Sequence, residues 1–175
     1  KILTGRYCVL HPFNPSLHSK NLYNAFKLDT TGIDWTYLPY GPFNSQTEFD
    51  EWVNQTCLIE DPLFYSIIEK SHLNPIGIIS FLNIEPLHGK IEIGHVHFSP
   101  ALQKTPAATE SLYLMMKYVF EELGYRRLEW KCDNNNERSK HCASRLGFTF
   151  EGLFRQHWIY KSRNRDTAWF SIIDK

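Results

Sequence analysis

The apolar positions of this chain change their period several times, and each change marks the start of a new predicted element. Alternation with a period of two predicts about seven strands, over residues 6–10, 64–69, 76–84, 90–98, 127–132, 148–160 and 167–173. Helical spacing and N-cap signals predict about four helices, which begin near Asn14, Ser45, Pro106 and Asn135 or Asn136. The last two strands are expected to pair as a hairpin with residues 162–166 at its tip.

One predicted strand changes phase in its middle. Ile91 and Ile93 alternate with polar neighbours before Gly94, whereas Val96 and Phe98 carry the apolar set after it. A side-chain period of two slips in this way only when an extra residue is inserted. The pattern therefore predicts a β-bulge beside Gly94.

The order of the elements indicates the fold class. The chain has one strand–helix–strand crossover, from residues 90–98 through the long helix to residues 127–132, and such a crossover joins parallel strands. The other connections favour antiparallel pairs. We therefore expect an α/β (α+β) protein with a mixed, mostly antiparallel sheet, formed by residues 1–175 as a single domain.

Composition excludes several kinds of partner. The 19 basic and 19 acidic residues balance, which argues against a nucleic-acid or anionic-membrane surface. No apolar run is long enough to span a bilayer, and the N-terminus lacks a signal-peptide core. The four scattered cysteines fit reduced thiols, which favours the cytoplasm. Neither Cys132, His141 and Cys142 nor the pair His95 and His97 has the spacing or the third ligand of a common zinc site, so no metal is expected.

A segment that carries chemistry follows the predicted bulge. Residues 103–110, the diphosphate loop, lead from the bulged strand into the N-terminus of the long helix. A bulge frees backbone groups for a linear ligand, and a helix N-terminus favours an anion. This combination predicts a site for a linear ligand that carries a diphosphate.

The same segment resembles a known family. The stretch IEIGHVHFSPALQKTPAATESL is similar to the acyl-CoA-binding segment of the GNAT N-acetyltransferase superfamily. NNNERSKHCASRLGF resembles that superfamily's Asn-x-x-Ser helix, which ends in Leu-Gly-Phe. FEGLFRQH, RNRDTAWFSI and the N-terminal WTYLPYGPF resemble the RimJ/RimL branch of ribosomal-protein N-terminal acetyltransferases.

The resemblance implies a GNAT fold, acetyl-CoA as donor and an amine as acceptor. On this basis we expect the cofactor to contact Val96, Phe98, Gln103, Lys104, Thr105, Ala107, Ala108, Thr109, Asn136 and Ser139. Val96 N–H is the expected donor to the developing oxyanion. Pro106 stands where the family usually has glycine and lacks an N–H, so one phosphate donor is missing.

Catalytic roles follow from the same resemblance. Ser139 matches the serine that protonates the leaving thiolate in RimL-like enzymes, and the position of the tyrosine used by other members is Ala143. The candidate bases are Glu92, His95 and Glu85. Each also has a structural alternative: a helix cap for Ser139, an ion pair for Glu92 and a polar lining of the sheet for His95.

Three functions stay open at this point. The first is an N-acetyltransferase acting on a protein or peptide α-amine or on a small-molecule amine. The second is a catalytically degenerate CoA-binding sensor or interaction module, which Pro106 favours, and the third is an enzyme with a longer acyl donor. The aromatic loop, residues 35–43, fits either a lining of the acceptor pocket or a cover for the sheet. The 15% of aromatic residues fits a core or a homodimer surface equally well.

Overall fold

The structure is a computed structural model that describes residues 1–71 and 73–175. Its strands are β1 (Leu3–Thr4), β2 (Cys8–Pro12), β3 (Leu63–Glu69), β4 (Pro75–Glu85), β5 (Lys90–Phe98), β6 (Arg127–Asp133), β7 (Thr149–Tyr160) and β8 (Arg163–Ile173). They form one eight-stranded sheet in the order β1-β2-β3-β4-β5-β6-β8-β7. β5 and β6 run parallel, and the other neighbouring strands in the sheet pair antiparallel. The predicted mixed, mostly antiparallel architecture is confirmed.

The final hairpin differs from its prediction. The tip is not residues 162–166, because β8 already begins at Arg163. Lys161 and Ser162 alone make the turn, both with positive φ (47° and 57°), which is the geometry of a two-residue hairpin turn. The polar residues 163–166 predict a loop, but in the structure Asn164 pairs with Ile159 across the hairpin. β1, with two residues, is an additional strand too short for a period to show.

Four α-helices accompany the sheet: α1 (Pro15–Phe26), α2 (Gln46–Trp52), α3 (Pro106–Lys117) and α4 (Glu137–Arg145). α2 and α3 continue into π-helical turns at Val53–Cys57 and Tyr118–Glu122. The predicted N-caps are present: Asn14 accepts a hydrogen bond from Ser16 N, and Ser45 accepts one from Glu48 N. None of the helices in the described residues is long and apolar enough to cross a membrane.

Two apolar clusters cover the two faces of the sheet. α3 packs Ala107, Leu112 and Met115 against one face, where Ile91 and Ile93 lie. α1, α2 and the residues that join them cover the other face with Phe26, Trp35, Phe49 and Trp52, which form an aromatic cluster with Phe64 of β3. Burial of these side chains is the main favourable contribution to the stability of the fold.

α3 also holds the N-terminal strands in place. The Glu110 carboxylate accepts backbone hydrogen bonds from Arg6, Tyr7 and Cys8 at 2.7–2.9 Å. These bonds hold the pKa of Glu110 below its usual value, even though partial burial acts to raise it. The helix that begins at the diphosphate loop is thereby fixed against β1 and β2.

Candidate active site

The sheet opens between β5 and β6. In the described residues their pairing stops at Glu92 and Glu129, after three pairs of residues. Beyond Glu92, the edge of β5 that faces β6 therefore has no strand partner in the part of the chain that the structure describes. We call the gap between β5 after Glu92 and β6 after Glu129 the cleft. The unpaired edge of β5 offers backbone donors and acceptors to an extended ligand that lies in it.

The predicted β-bulge is present at this opening. On β4, Ile78 pairs with His97 and Ser80 pairs with Gly94, so two steps on β4 face three steps on β5. The inserted residue is His95, whose φ is 50°. A side chain at Gly94 would place its Cβ 2.8 Å from the Leu82 side chain, so glycine allows the close approach that the bulge needs.

His95 lies among aromatic rings on the α1–α2 side of the sheet. Its Nδ1 is 2.9 Å from the Tyr40 hydroxyl, and its ring centroid is 5.0 Å from that of Phe64. Burial lowers the pKa of His95 to about 4, so the imidazole is neutral at physiological pH. A neutral ring has a nitrogen that can accept a proton, but with this pKa it is a weak base.

Glu92 lies two residues before Gly94 and is buried. Its Oε2 accepts hydrogen bonds from Lys131 Nζ and from Asn83 Nδ2, each at 2.7 Å. Its Oε1 lies 3.8 Å from the position that a Cβ on Gly94 would occupy, and so faces the bulge. One oxygen of the carboxylate is thus anchored, and the other lies beside the bulge.

The third candidate base lies elsewhere. Glu85, at the far end of β4, forms an ion pair with Lys90 at 2.7 Å, and its side chain is 43% exposed. His97 is also separate from the cleft, because its ring packs 3.7 Å from that of Trp35 and 4.5 Å from that of Phe26. The described residues contain no group of three or more His, Cys, Asp or Glu side chains arranged to hold a metal.

The diphosphate loop is tied down by its own side chains. Gln103 Nε2 donates to the Phe98 carbonyl at 3.0 Å and to Asp34 Oδ2 at 2.6 Å. Lys104 adopts a positive φ of 61°. Gln103 therefore shapes the loop by joining the end of β5 to Asp34.

The first turn of α3 has only some of the expected donors available. Thr105 is the N-cap, and its hydroxyl accepts from Ala108 N at 3.2 Å, which leaves that N–H less available to a ligand. Pro106 is the first helical residue and fits there without strain, because its fixed φ suits the helix and that position needs no donor. Thr109 Oγ lies 3.4 Å from Arg145 at the end of α4.

α4 places Ser139 beside β6. Asn136 is the N-cap, and its side chain accepts from Ser139 N at 3.1 Å. The Ser139 hydroxyl accepts from Trp130 Nε1 at 2.9 Å. It also hydrogen-bonds with the Cys132 thiol; burial raises the pKa of Cys132, and the bond to Ser139 acts in the opposite direction. Ser139 thus lies beside the part of β6 that borders the cleft, next to the sulfur atom of Cys132.

The aromatic loop crosses above the opening. Its Tyr37 hydroxyl donates to the Asn135 carbonyl at 2.9 Å, and Lys161 Nζ donates to the Trp35 carbonyl at 2.8 Å. Asp34, immediately before the loop, also pairs with Arg138 at 3.0 Å. The loop therefore contacts α4 and the β7–β8 turn as well as the α1–α2 half of the molecule.

Sequence reasoning missed Lys131, Asn83 and Trp169, and it included Tyr40 only as part of the aromatic loop. The alternation of Glu129, Lys131 and Asp133 on β6 was a signal, because it places three charged residues on one face of a strand. Which residues lie opposite them on β5 and β8 depends on strand register, and no local pattern gives that register.

The cleft thus combines groups suited to transferring an acyl group to an amine. A carboxylate oxygen can accept a proton, a serine hydroxyl can donate one, and backbone N–H groups near the bulge can bind a carbonyl oxygen. A helix N-terminus lies close by for an anionic carrier. Glu92 and Ser139 lie on the strand and the helix that border this cleft, and their catalytic roles stay predictions.

Comparisons with known proteins agree with this chemistry. The family described as acetyltransferase (GNAT) domain matches residues 8–149. A GCN5-related N-acetyltransferase from Brucella melitensis is 43% identical, covers 99% of this chain and 79% of that chain, and has a TM-score of 0.97. A probable acetyltransferase of the GNAT family from Chromobacterium violaceum is 41% identical, covers 99% and 86% of the two chains, and has a TM-score of 0.92.

More distant proteins include some with named acceptors. A ribosomal-protein-serine acetyltransferase of Escherichia coli is 33% identical over 46% of this chain and 45% of its own length. A spermidine N(1)-acetyltransferase of Escherichia coli is 28% identical over 51% and 48%. A RimL alpha-N-protein acetyltransferase in complex with coenzyme A shares the fold, with a TM-score of 0.82, 23% identity and coverage of 99% and 98%.

Proposed function

The chain belongs to the GNAT acetyltransferase family, and from that premise we propose that it acetylates a primary amine, most favourably the α-amine of a protein or peptide. Enzymes of this family are N-acetyltransferases that use acetyl-CoA. The observation that carries the proposal is the Glu92 carboxylate, whose Oε1 faces the bulge while Oε2 is anchored. A small-molecule amine is the other acceptor class.

The cleft fits the acyl donor. β5 beyond Glu92 has an edge that β6 does not pair with in the described residues, so the backbone of Val96 and Phe98 can bind an extended arm. The diphosphate would lie at the first turn of α3, near Ala107 N, Lys104 and Thr109. Acetyl-CoA, when bound, supplies a thioester carbonyl as the electrophile.

The residues of this chain supply the proton transfers. Glu92 Oε1 accepts the proton that the amine loses as it attacks, directly or through a water molecule. Val96 N–H donates to the carbonyl oxygen as negative charge develops there. The Ser139 hydroxyl donates a proton to the departing sulfur, and Trp130 holds that hydroxyl from the other side.

The acceptor preference rests on amine acidity and on the relatives. An α-amine has a pKa near 8, against about 10.4 for a lysine side chain, so it needs less help to become neutral. The ribosomal-protein-serine acetyltransferase is similar over a stretch comparable to that of the spermidine enzyme and is more identical (33% against 28%). Both facts favour a protein or peptide α-amine.

Further features belong to the same proposal. Strands from Leu3–Thr4 to Arg163–Ile173 share one sheet, which supports a single catalytic domain over residues 1–175. The four free cysteines favour the cytoplasm. A light-scattering measurement of the mass in solution distinguishes a homodimer from a monomer. The degenerate CoA-binding module is the alternative that Pro106 favours.

Two assays test the proposal. Calorimetric titration with acetyl-CoA measures donor binding, and a thiol-release assay measures transfer to a panel of peptides with free N-termini, spermidine and free amino acids. We expect binding, and release that is fastest with one of the peptides. We expect Glu92→Gln to lower kcat/KM by about 10²-fold or more with donor binding unchanged, and His95→Gln to lower it much less.

The outcomes separate the alternatives. Donor binding without release for any amine would support the binding module instead of the enzyme. Fastest release with spermidine would replace the α-amine as acceptor, and a larger loss for His95→Gln than for Glu92→Gln would transfer the role of base to His95. Failure to bind acetyl-CoA would overturn the whole assignment.

A further inference from the structure

Glu92 is held by a set of contacts that extends over four strands. Asn83 on β4 and Lys131 on β6 both donate to its Oε2 at 2.7 Å. Lys131 in turn pairs with Glu129 at 2.9 Å and lies 4.0 Å from the centre of the Trp169 ring on β8. A carboxylate with two donors on one oxygen has a fixed plane, so the direction of the second oxygen is also fixed.

The backbone of Asn83 supports a role beyond packing. Its φ of 49° lies in the left-handed region, which asparagine tolerates better than most residues other than glycine. Asp61 holds this conformation by accepting from Asn83 N and Ile84 N, both at 3.0 Å. The register between β4 and β5 shifts at this point. The contacts with Asp61 fix the backbone of Asn83 and thereby the direction in which its side chain leaves the strand.

The environment of Lys131 is also unusual for a lysine. Its side chain is only 13% exposed, and it contacts two carboxylates and the face of an indole. Arg127 completes the charged set by pairing with both Glu129 and Glu151. Lys131 therefore has one orientation, in which its ammonium reaches Glu92.

From these contacts we propose that Lys131 and Asn83 are positioning residues, which hold the Glu92 carboxylate with Oε1 directed at the reacting amine. They contact neither the donor nor the acceptor and act through Glu92. The inference rests on the proposed function, because it requires Glu92 to accept the proton during acetyl transfer. It assigns a role to two residues outside the family motifs.

The experiment measures kcat, the acceptor KM and the Kd of acetyl-CoA for four variants. Lys131→Met removes the charge and keeps much of the aliphatic stem. Asn83→Gly removes the amide and keeps a residue that adopts positive φ freely, so the backbone is preserved. Lys131→Arg restores a cation that can stack on Trp169. Lys140→Met, which removes an ion pair on α4, is the matched control.

We expect Lys131→Met and Asn83→Gly each to lower kcat about 10-fold to 100-fold, with acceptor KM and donor Kd within about twofold. Lys131→Arg should recover part of the loss, and Lys140→Met should behave as wild type. In a double-mutant cycle, Lys131→Met should add little to the loss already caused by Glu92→Gln, because both act through one group.

The failures of the two proposals can be told apart. If Glu92→Gln leaves kcat unchanged, the role of Glu92 in the proposed function is wrong. If Glu92→Gln removes activity while folded Lys131→Met and Asn83→Gly retain wild-type kcat, the positioning role is overturned and the proposed function stands. Additive losses in the double-mutant cycle would also overturn it, because they would place Lys131 in an independent role.

Discussion

Two histidines on the bulged strand show how one residue type serves different ends. His95 contacts Tyr40 and Phe64 and is half-buried, whereas His97 is enclosed by Trp35 and Phe26. Burial lowers the pKa of His95 to about 4 and that of His97 to about 3. Both rings are therefore neutral in the native protein at physiological pH. In the unfolded chain each would titrate near 6.5.

This difference predicts an acid-sensitive stability. As pH falls below about 6.5, His97 becomes protonated in the unfolded chain. In the native protein it stays neutral down to about pH 3, because burial lowers its pKa. The free energy of unfolding should therefore fall through that window, by about 1.4 kcal/mol per pH unit for this histidine. His97→Phe, which keeps an aromatic ring in the cluster, should reduce the slope. Urea denaturation between pH 4.5 and 7.5 measures it, and equal slopes in the two proteins would contradict the prediction.

Part of the candidate site follows from single residues in the sequence. Glu92, His95 and Ser139 stand out because each lies beside a bulge or within a motif, and both are local features of the chain. Lys131 and Asn83 do not, because their importance comes from partners on other strands. A left-handed backbone at Asn83 has no sequence signal stronger than the general tolerance of asparagine for that region.

At the scale of elements, α3 connects the diphosphate loop to the rest of the fold. Its N-terminus begins with the Thr105 cap and Pro106, and Glu110 in its next turn binds the backbone before β2. Proline suits the geometry of the first turn but removes one N–H from the end that would face a diphosphate. The helix is therefore firmly held against β2, but its first turn lacks one N–H donor for a diphosphate.

Restoring that donor should strengthen binding of the acyl carrier. Pro106→Ala adds an N–H at the first helical position without the backbone freedom of glycine, and we expect the Kd of acetyl-CoA to fall by about tenfold, since hydrogen bonds to charged groups are worth about 1.5–3 kcal/mol. Calorimetric titration measures the change. Pro86→Ala, at the start of the short turn between β4 and β5, is the matched control. An unchanged Kd for Pro106→Ala would mean that the first turn does not bind the diphosphate.

Elements were predictable where their period was long enough. The bulge was predicted because apolar residues on both sides of Gly94 fix the phase of β5. The start of β8 was not, since Arg163, Asn164 and Arg165 are polar and lie on the edge hairpin, where pairing is through the backbone and leaves no apolar pattern. The π-helical turns after α2 and α3 are likewise invisible to a period of 3.6.

At the scale of the whole molecule, the aromatic loop joins the two halves of the sheet across the cleft. Tyr37 reaches Asn135, and Lys161 and Arg163 on the β7–β8 hairpin donate to the carbonyls of Trp35 and Thr36. These contacts span about 100 residues of sequence or more, and they cover the α1–α2 side of the opening, where Glu92 and His95 lie. The proposed donor site lies on the α3 side, and we therefore propose that the loop acts on the acceptor.

Loosening this loop should therefore affect the acceptor and spare the donor. In the double variant Tyr37→Phe with Lys161→Ala, two of the contacts across the cleft are lost, so we expect faster amide exchange over residues 33–43, because local opening becomes easier. The acceptor KM should rise about threefold to tenfold, while the Kd of acetyl-CoA stays within about twofold, since an ordered pocket wall is lost on one side only. Hydrogen exchange read by mass spectrometry and steady-state kinetics measure the two effects.

Lys20→Ala, on the exposed side of α1, controls for the loss of a lysine. Faster exchange of the loop with a constant acceptor KM would contradict the prediction. The loop would then be only a hydrophobic cover for the sheet, which is the other role that its sequence allows.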